Sequence, residues 1–383
     1  MTSDHAIVQL VLRPGILDLG WGHPDPALLP LDGMRSAAIE AIERFGTDTL
    51  AYGSAAGAGP LIGWLRTRIA LTEGRDPGSE GITITGGSSL GLDQVCTLLA
   101  QPGDVVLVES PTYHYAVRIL RDHPFELVPV AADDNGLRIE AVEQALADVK
   151  RRGRKARMLY CVPTFNNPTG ASLSMQRRRA LIDLATREDL LILEDDVYRD
   201  LAYDSIAPPS LWSMDSSGIV LRLGSFAKSL APGLRLGWLT GAPALIQRIA
   251  GGGVLDSGGG ANHFTAMIVA AFCLAGRFEP QIERLRATYA ERSSVLAASL
   301  RATLPQGCEV VVPRGGFFTW VRLRDGMQAE QLLMHAEAQG VAYIPGSRFY
   351  VHGGGTNTLR LAHSLYGTED LIEAAARLGR ALA

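Results

Sequence analysis

A lone lysine stands in the stretch "GSFAKSLAPGLRLGW", residues 224–238, with serine before it and arginine after it. The chain has only three lysines, and the other two, Lys150 and Lys155, lie in the basic run "KRRGRKAR". Elsewhere its basic residues are arginines. Lys228 therefore supplies something a guanidinium cannot: an amine that loses its proton when desolvated and then attacks carbon. Three other stretches carry complementary groups. In "TITGGSSLG", Gly86, Gly87, Ser88 and Ser89 precede a helical pattern, where free N–H groups and the helix dipole attract an anion. Alone, that stretch would be an ordinary serine N-cap. "TFNNPTG" (164–170) holds Asn167 in a turn. "LLILEDDVY" ends in Asp195, Asp196 and Tyr198, two acids that a buried strand end tolerates only beside positive charge. Lys228 itself comes with Ser225 and Arg235.

For these groups to converge, they must sit at strand ends on one side of a sheet, because ligands of open α/β folds bind beyond the carboxyl ends of the strands. The surrounding pattern supplies such strands. "GITIT", "DVVLVES", "FELVPV", "ARMLYCV", "LLILE" and "GIVLRLG" are apolar, β-branched runs, and helical patterns such as "LRIEAVEQALADV" and "SMQRRRALIDLATRED" alternate with them. The predicted fold is α/β, a mostly parallel central sheet flanked by helices, with a smaller α+β C-terminal domain. We divide the chain into an N-terminal segment (1–50) packing with the small domain, a large domain (51–270) and a small domain (271–383). The glycine-rich stretch 251–260 reads as a loop. A length of 383 residues with 47% hydrophobic and 20% charged residues is an ordinary globular balance, and a net charge of −4 gives no pull toward nucleic acid or anionic membrane. Four scattered cysteines form no metal-binding or disulfide pattern, so no metal is expected. The N-terminus has an early acid and only a short apolar run, and no apolar stretch reaches about 18 residues, so we expect a cytoplasmic protein with no membrane contact.

Four strand ends thus deliver anion donors, an amide, a carboxylate with a tyrosine, and an amine with an arginine. A ligand with a phosphate, a ring nitrogen wanting a negative partner and an aldehyde would use all of them; pyridoxal 5′-phosphate is such a molecule. "NNPTG", "DDVY" and "SFAKSLAPGLRLGW", in that order, resemble the motifs of fold-type I pyridoxal-phosphate enzymes. The resemblance is to class I/II aminotransferases, in particular the 2-aminoadipate and kynurenine aminotransferases and the aminotransferase-like domain of MocR-type regulators. It implies an aminotransferase moving an amino group between an L-amino acid and a 2-oxo acid through a Lys228 aldimine. Lys228 would also shuttle the proton at the substrate Cα. Asp195 would pair with the pyridinium N–H, with Asp196 a structural bystander. Tyr198 and Asn167 would bond the phenolic oxygen. Arg235, Ser225, Ser88 and Ser89 would hold the phosphate, and Tyr113 would stack on the ring. Tyr52 would reach the neighbouring subunit's phosphate, which implies a homodimer with shared active sites. Arg360, in "NTLRLAHS", would grip the substrate α-carboxylate, and Trp21 and Gly22, with Asn167, would face the substrate. The Asn167–Pro168 peptide would be cis.

The sequence also departs from that pattern. Ala227 stands where close relatives often carry a second phosphate-binding serine, and Ser89 where 2-aminoadipate-type enzymes often carry glutamine. Trp21 and His23 are bulky: they would shape a pocket for an aromatic or otherwise large substrate, or simply pack. "LDSGGGANHF" (255–264) would let a ligand approach the backbone, or be a surface loop; His263 would be a second base or, more simply, a helix cap. These features keep open an alternative reading, a pyridoxal-phosphate enzyme of specialised metabolism that uses the same carbanion for β- or γ-elimination, replacement or carbon–carbon bond formation. A non-enzymatic sensor is disfavoured, because few residues precede the family-like region to hold a DNA-binding domain.

Overall fold

A computed structural model describes residues 8–204 and 206–383; the first residues of the stretch read above as non-secretory lie outside these. The apolar runs form an eight-stranded sheet in the order Ile82–Thr85, Gly237–Thr240, Val220–Ser225, Leu191–Asp195, Ala156–Cys161, Val105–Ser110, Glu126–Asp133, Gly136–Leu137. The four pairings from Val220–Ser225 through to Glu126–Asp133 are parallel. Gly237–Thr240 runs antiparallel to both its neighbours. Val105–Ser110, Leu191–Asp195 and Val220–Ser225 are buried along their whole length, as strands covered on both faces must be. Their side chains alternate between two apolar layers: Val106, Val108, Met158 and Tyr160 face one, Val105, Leu107, Leu159 and Cys161 the other. Helices Ser88–Leu99, His114–Arg121 and Pro243–Ala250 cover the first layer; Gly59–Glu73, Ile139–Arg151, Met175–Glu188 and His263–Leu274 cover the second.

A second, antiparallel sheet has the order Glu309–Val311, Phe318–Arg322, Thr358–Ala362, Ile344–Pro345. Helices Ala329–Ala338 and Thr368–Leu382 and the C-terminal half of Phe278–Thr303 bury their apolar faces against it, whereas Phe278 and Ile282 enter the core of the large sheet. The N-terminal segment serves both parts. Leu17–Asp18 pairs in parallel with Val341–Ala342, whereas Ala37 and Ala41 of the helix Leu31–Phe45 enter the core of the large sheet. The basic run 150–157 is neutralised at the surface: Lys155 pairs with Asp189 at 2.6 Å, and Arg152 and Arg154 pair with Glu126. Among the described residues no helix is long and apolar enough to cross a membrane.

The glycine-rich stretch differs from expectation. It contains a short helix, Gly253–Gly258, followed by Gly259 and Gly260 at φ +66° and +89°. A Cβ on Gly259 would fall 2.7 Å from the Gly53 carbonyl oxygen, and one on Gly260 2.4 Å from that of Ser54. The close approach these glycines allow is therefore to the chain itself. His263, at the start of the next helix, has Nε2 2.8 Å from the Asp48 carbonyl oxygen, a tie between segments.

Candidate active site

Lys228 lies in the turn after Val220–Ser225, anchored by the fully buried Phe226 on its N-terminal side. Its Nζ donates to the Gly22 carbonyl at 3.2 Å and stands 5.3 Å from the Phe317 ring centroid and 5.9 Å from that of Tyr198. Burial, then the positive charge of Arg360 and of Arg235, pushes its pKa down to about 8, against the opposing pull of Asp195. Arg360, on the strand Thr358–Ala362, is buried. Its Nη1 donates to Asn167 Oδ1 at 2.9 Å and its Nη2 to the Gly20 carbonyl at 2.6 Å, while Nε is buried without a partner. The guanidinium is held between rings, 4.1 Å from the Phe318 centroid and 4.9 Å from that of Phe349. Gly22 is bare for this reason: a Cβ there would lie 2.7 Å from Phe318 Cζ. Residues 20–22 thus run directly over both Lys228 and Arg360. Asn167 is buried in its turn, before a cis peptide to Pro168 as the resemblance implies; Ser110–Pro111 is also cis, which sequence reasoning did not foresee. Since Asn167 Oδ1 accepts from Arg360, its Nδ2 is left to donate, and the Tyr198 hydroxyl lies alongside.

The two acids after "LLILE" have separate surroundings. Asp196 Oδ2 is 2.7 Å from Arg199 Nε and 2.9 Å from Arg222 Nε, and both arginines also reach Glu73. Asp195 has no ion pair among the described residues. Its Oδ2 accepts from Tyr160 at 2.7 Å, and its Oδ1 is buried without a partner. Burial, reinforced by Asp196, lifts its pKa to about 6. A buried carboxylate with one free oxygen suits a cationic N–H donor.

At the start of the helix Ser88–Leu99, Gly87 has φ +91°, and a Cβ on it would fall 2.9 Å from Arg235 Nη2. Arg235 has no ion pair among the described residues, and its guanidinium lies beside free N–H groups at a helix N-terminus. Ser88 and Ser89 are half-buried there. Ser225 is buried and accepts from the Ala227 N–H at 3.1 Å, which leaves its hydroxyl proton to donate. Tyr113 caps the helix His114–Arg121. This donor set, with the amine of Lys228 and the free oxygen of Asp195, fits pyridoxal 5′-phosphate. Trp21 and His23 are half-buried, with ring centroids 5.3 Å apart. Tyr52 is not brought to this cluster; it is 87% exposed.

Sequence reasoning missed Tyr160, Phe318 and Phe349. Tyr160 had a usable signal, since a phenol inside an aliphatic buried strand needs a partner for its hydroxyl. The two phenylalanines had none, because their spacing from Arg360 in sequence says nothing of a shared stack.

The family "Aminotransferase class I and II" matches residues 19–378. The chain is 33% identical to the 2-aminoadipate transaminase of Thermus thermophilus, over 98% of this chain and 92% of the relative. It is 31% identical to aromatic-amino-acid aminotransferase 1 of Thermococcus litoralis, over 98% and 90%. The solved kynurenine aminotransferase of Pyrococcus horikoshii, in complex with PMP, superposes with a TM-score of 0.90 at 32% identity, covering 96% of this chain and 91% of that one.

Proposed function

The chain belongs to the class I and II aminotransferase family, and on that premise we propose that the cluster around Lys228 transfers an amino group from an L-amino acid with a large, flat side chain to a 2-oxo acid. The carrying observation is one desolvated amine, Lys228, electrostatically coupled to a buried acid, Asp195, that keeps one oxygen free. Bound pyridoxal 5′-phosphate supplies an aldehyde for that amine and a ring that accepts the electrons of a bond broken at the substrate Cα. The protein's part is to bind, orient and move protons. Lys228 Nζ would hold the aldehyde carbon of the resting cofactor and, once the substrate amine has displaced it there, would be the free base that moves the proton at the substrate Cα. Asp195 keeps a proton on the ring nitrogen. Tyr198 and Asn167 would donate to the phenolic oxygen, Tyr113 would pack on the ring, and Arg235, Ser225, Ser88 and Ser89 would hold the phosphate. The Arg360 fork takes the α-carboxylate, which fixes the direction of the Cα–H bond. Its unbonded Nε and its position between two rings favour that task. Trp21, His23 and Gly22 shape the side-chain pocket. The 255–264 segment, which sustained an elimination or replacement reading, is filled by contacts to residues 48–57, so no observation favours that alternative.

The test is the absorbance of the purified protein before and after each of a panel of L-amino acids, without any oxo acid. Tryptophan, phenylalanine and kynurenine should convert the cofactor's visible band to that of its aminated form faster than 2-aminoadipate or aspartate does. A response to the acidic donors alone would overturn the side-chain class, and a band that never reaches the aminated form would overturn transamination.

We infer a homodimer with shared sites. Leu50, Tyr52 and Val254 are 74%, 87% and 85% exposed, and Tyr52 lies against Gly259, so two neighbouring segments each present exposed apolar side chains. Mixing inactive Lys228→Ala with Tyr52→Ala protein should restore about a quarter of the activity, because half the random dimers carry one intact site. A monomer by sedimentation, or no recovery on mixing, would refute sharing. Three of the four cysteines, all unpaired, are buried, which fits the reducing cytoplasm as its compartment.

A further inference from the structure

Glu109 lies near the end of the strand Val105–Ser110, at 1% exposure, and takes no part in the machinery assigned above. It has no ion pair among the described residues, and Arg178 acts on it only at a distance. An unpaired carboxyl in that position is costly to bury unless its hydrogen bonds do something specific. Oε2 accepts from two donors: the Val162 N–H at 2.7 Å and the Asn166 side-chain amide at 3.0 Å. Both donors lie on the loop that carries Asn167, and they bracket Phe165, a non-glycine residue at φ +51°. Such backbone persists only when its surroundings over-determine it. Phe165 is buried, and a Cβ on Gly315 would fall 2.5 Å from its ring, so the ring is gripped as well.

Asn166 passes the restraint onward. Its Oδ1 accepts from the Thr169 N–H at 3.2 Å and from Thr169 Oγ1 at 3.1 Å. Its own N–H donates to the Ala171 carbonyl at 2.8 Å, and its carbonyl accepts from the Gly170 N–H at 2.7 Å. The turn is therefore closed on Asn166, and Asn166 is closed on Glu109. Asn167, the next residue, is the one whose Oδ1 meets Arg360 and whose Nδ2 faces the Tyr198 hydroxyl.

We propose that Glu109 is a positioning residue: by tying Val162 and Asn166 to the central sheet, it sets where Asn167 presents its amide to the cofactor's phenolic oxygen and to Arg360. This rests on the functional reading above. A donor to that oxygen favours its ionised form, so a displaced Asn167 raises the pH at which the bound cofactor's visible band titrates. In the holoenzyme, Glu109→Ala should raise that midpoint by about one pH unit, in the same direction as Asn167→Ala. The two effects should not add, because they act through one amide. Glu109→Gln keeps an acceptor oxygen for both donors and should titrate like the wild type. Should Glu109→Ala fail to fold, Asn166→Ala severs the same link and should show the same shift.

A wild-type midpoint in Glu109→Ala and Asn166→Ala, even with a lowered melting temperature, would leave Glu109 merely structural and overturn the inference. So would a shift that adds fully to that of Asn167→Ala. If the wild-type chain itself took up no pyridoxal 5′-phosphate, the functional reading would fall, and this inference with it.

Discussion

Lys228→Ala should lower turnover by at least about four orders of magnitude, and Lys228→Arg should be no better. Neither other lysine can take over. Lys155 is engaged with Asp189 at the surface, and Lys150 lies on the exposed side of the helix Ile139–Arg151. An arginine would keep the positive charge, which shows that charge is not the requirement. The same substitution should leave the fold intact. The Lys228 amine makes one hydrogen bond to protein, to Gly22, and its folded pKa is depressed to about 8. A lysine whose folded pKa lies below its unfolded value weakens the fold wherever it must be charged in both states, that is below about pH 8. The penalty disappears as pH rises through the unfolded value near 10.5. Cofactor-free Lys228→Ala should therefore gain about 1–2 kcal/mol below pH 8, discounted because the side chain as a whole is only half-buried although its amine is desolvated, and nothing near pH 10.5. Rates with the best donor and urea melts across that range would check both halves. Wild-type-like turnover in either variant would remove Lys228 from the chemistry.

The strand-end logic made much of this site legible. Lys228, Asn167 and Ser88 follow the strands ending in Ser225, Cys161 and Thr85, Asp195 ends its own, and a parallel sheet aligns such ends without further information. The order of strands across the sheet was not legible, since local patterning does not say that Gly237–Thr240 inserts antiparallel between Ile82–Thr85 and Val220–Ser225. Contacts set by that order were equally hidden. Tyr160 meets Asp195 across 35 positions and Glu109 meets Asn166 across 57, and neither spacing is periodic. Arg360 was legible as an arginine on a small-sheet strand, but its stack between Phe318 and Phe349 depends on the pairing of that strand with Phe318–Arg322 and on where the turn Gly346–Phe349 returns. The triple glycine at 258–260 misled for a related reason. Glycine marks close approach, and only the packed chain shows what does the approaching.

The adjacent acids give the sharpest separation of roles. Asp195→Asn should reduce kcat about 10³-fold, because the amide keeps the shape and loses the charge that holds a proton on the ring nitrogen. Its stability should change little: the carboxylate makes one side-chain bond, to Tyr160, which an amide oxygen can still accept. Asp196→Asn should do the reverse. That carboxylate stands between Arg199 and Arg222, both nearly fully buried and both shared with Glu73. Removing one negative charge leaves buried positive charge uncompensated, which costs about 3–5 kcal/mol, while the residue touches nothing assigned to cofactor or substrate. The folded fraction of Asp196→Asn should therefore keep its kcat to within about tenfold. Urea midpoints and kcat, measured on both variants at one pH, separate the two roles. If Asp196→Asn loses the rate and Asp195→Asn the stability, the acid facing the ring nitrogen has been misassigned. The assignment would then pass to the carboxylate between the two arginines, where the nearby positive charges would oppose a protonated ring.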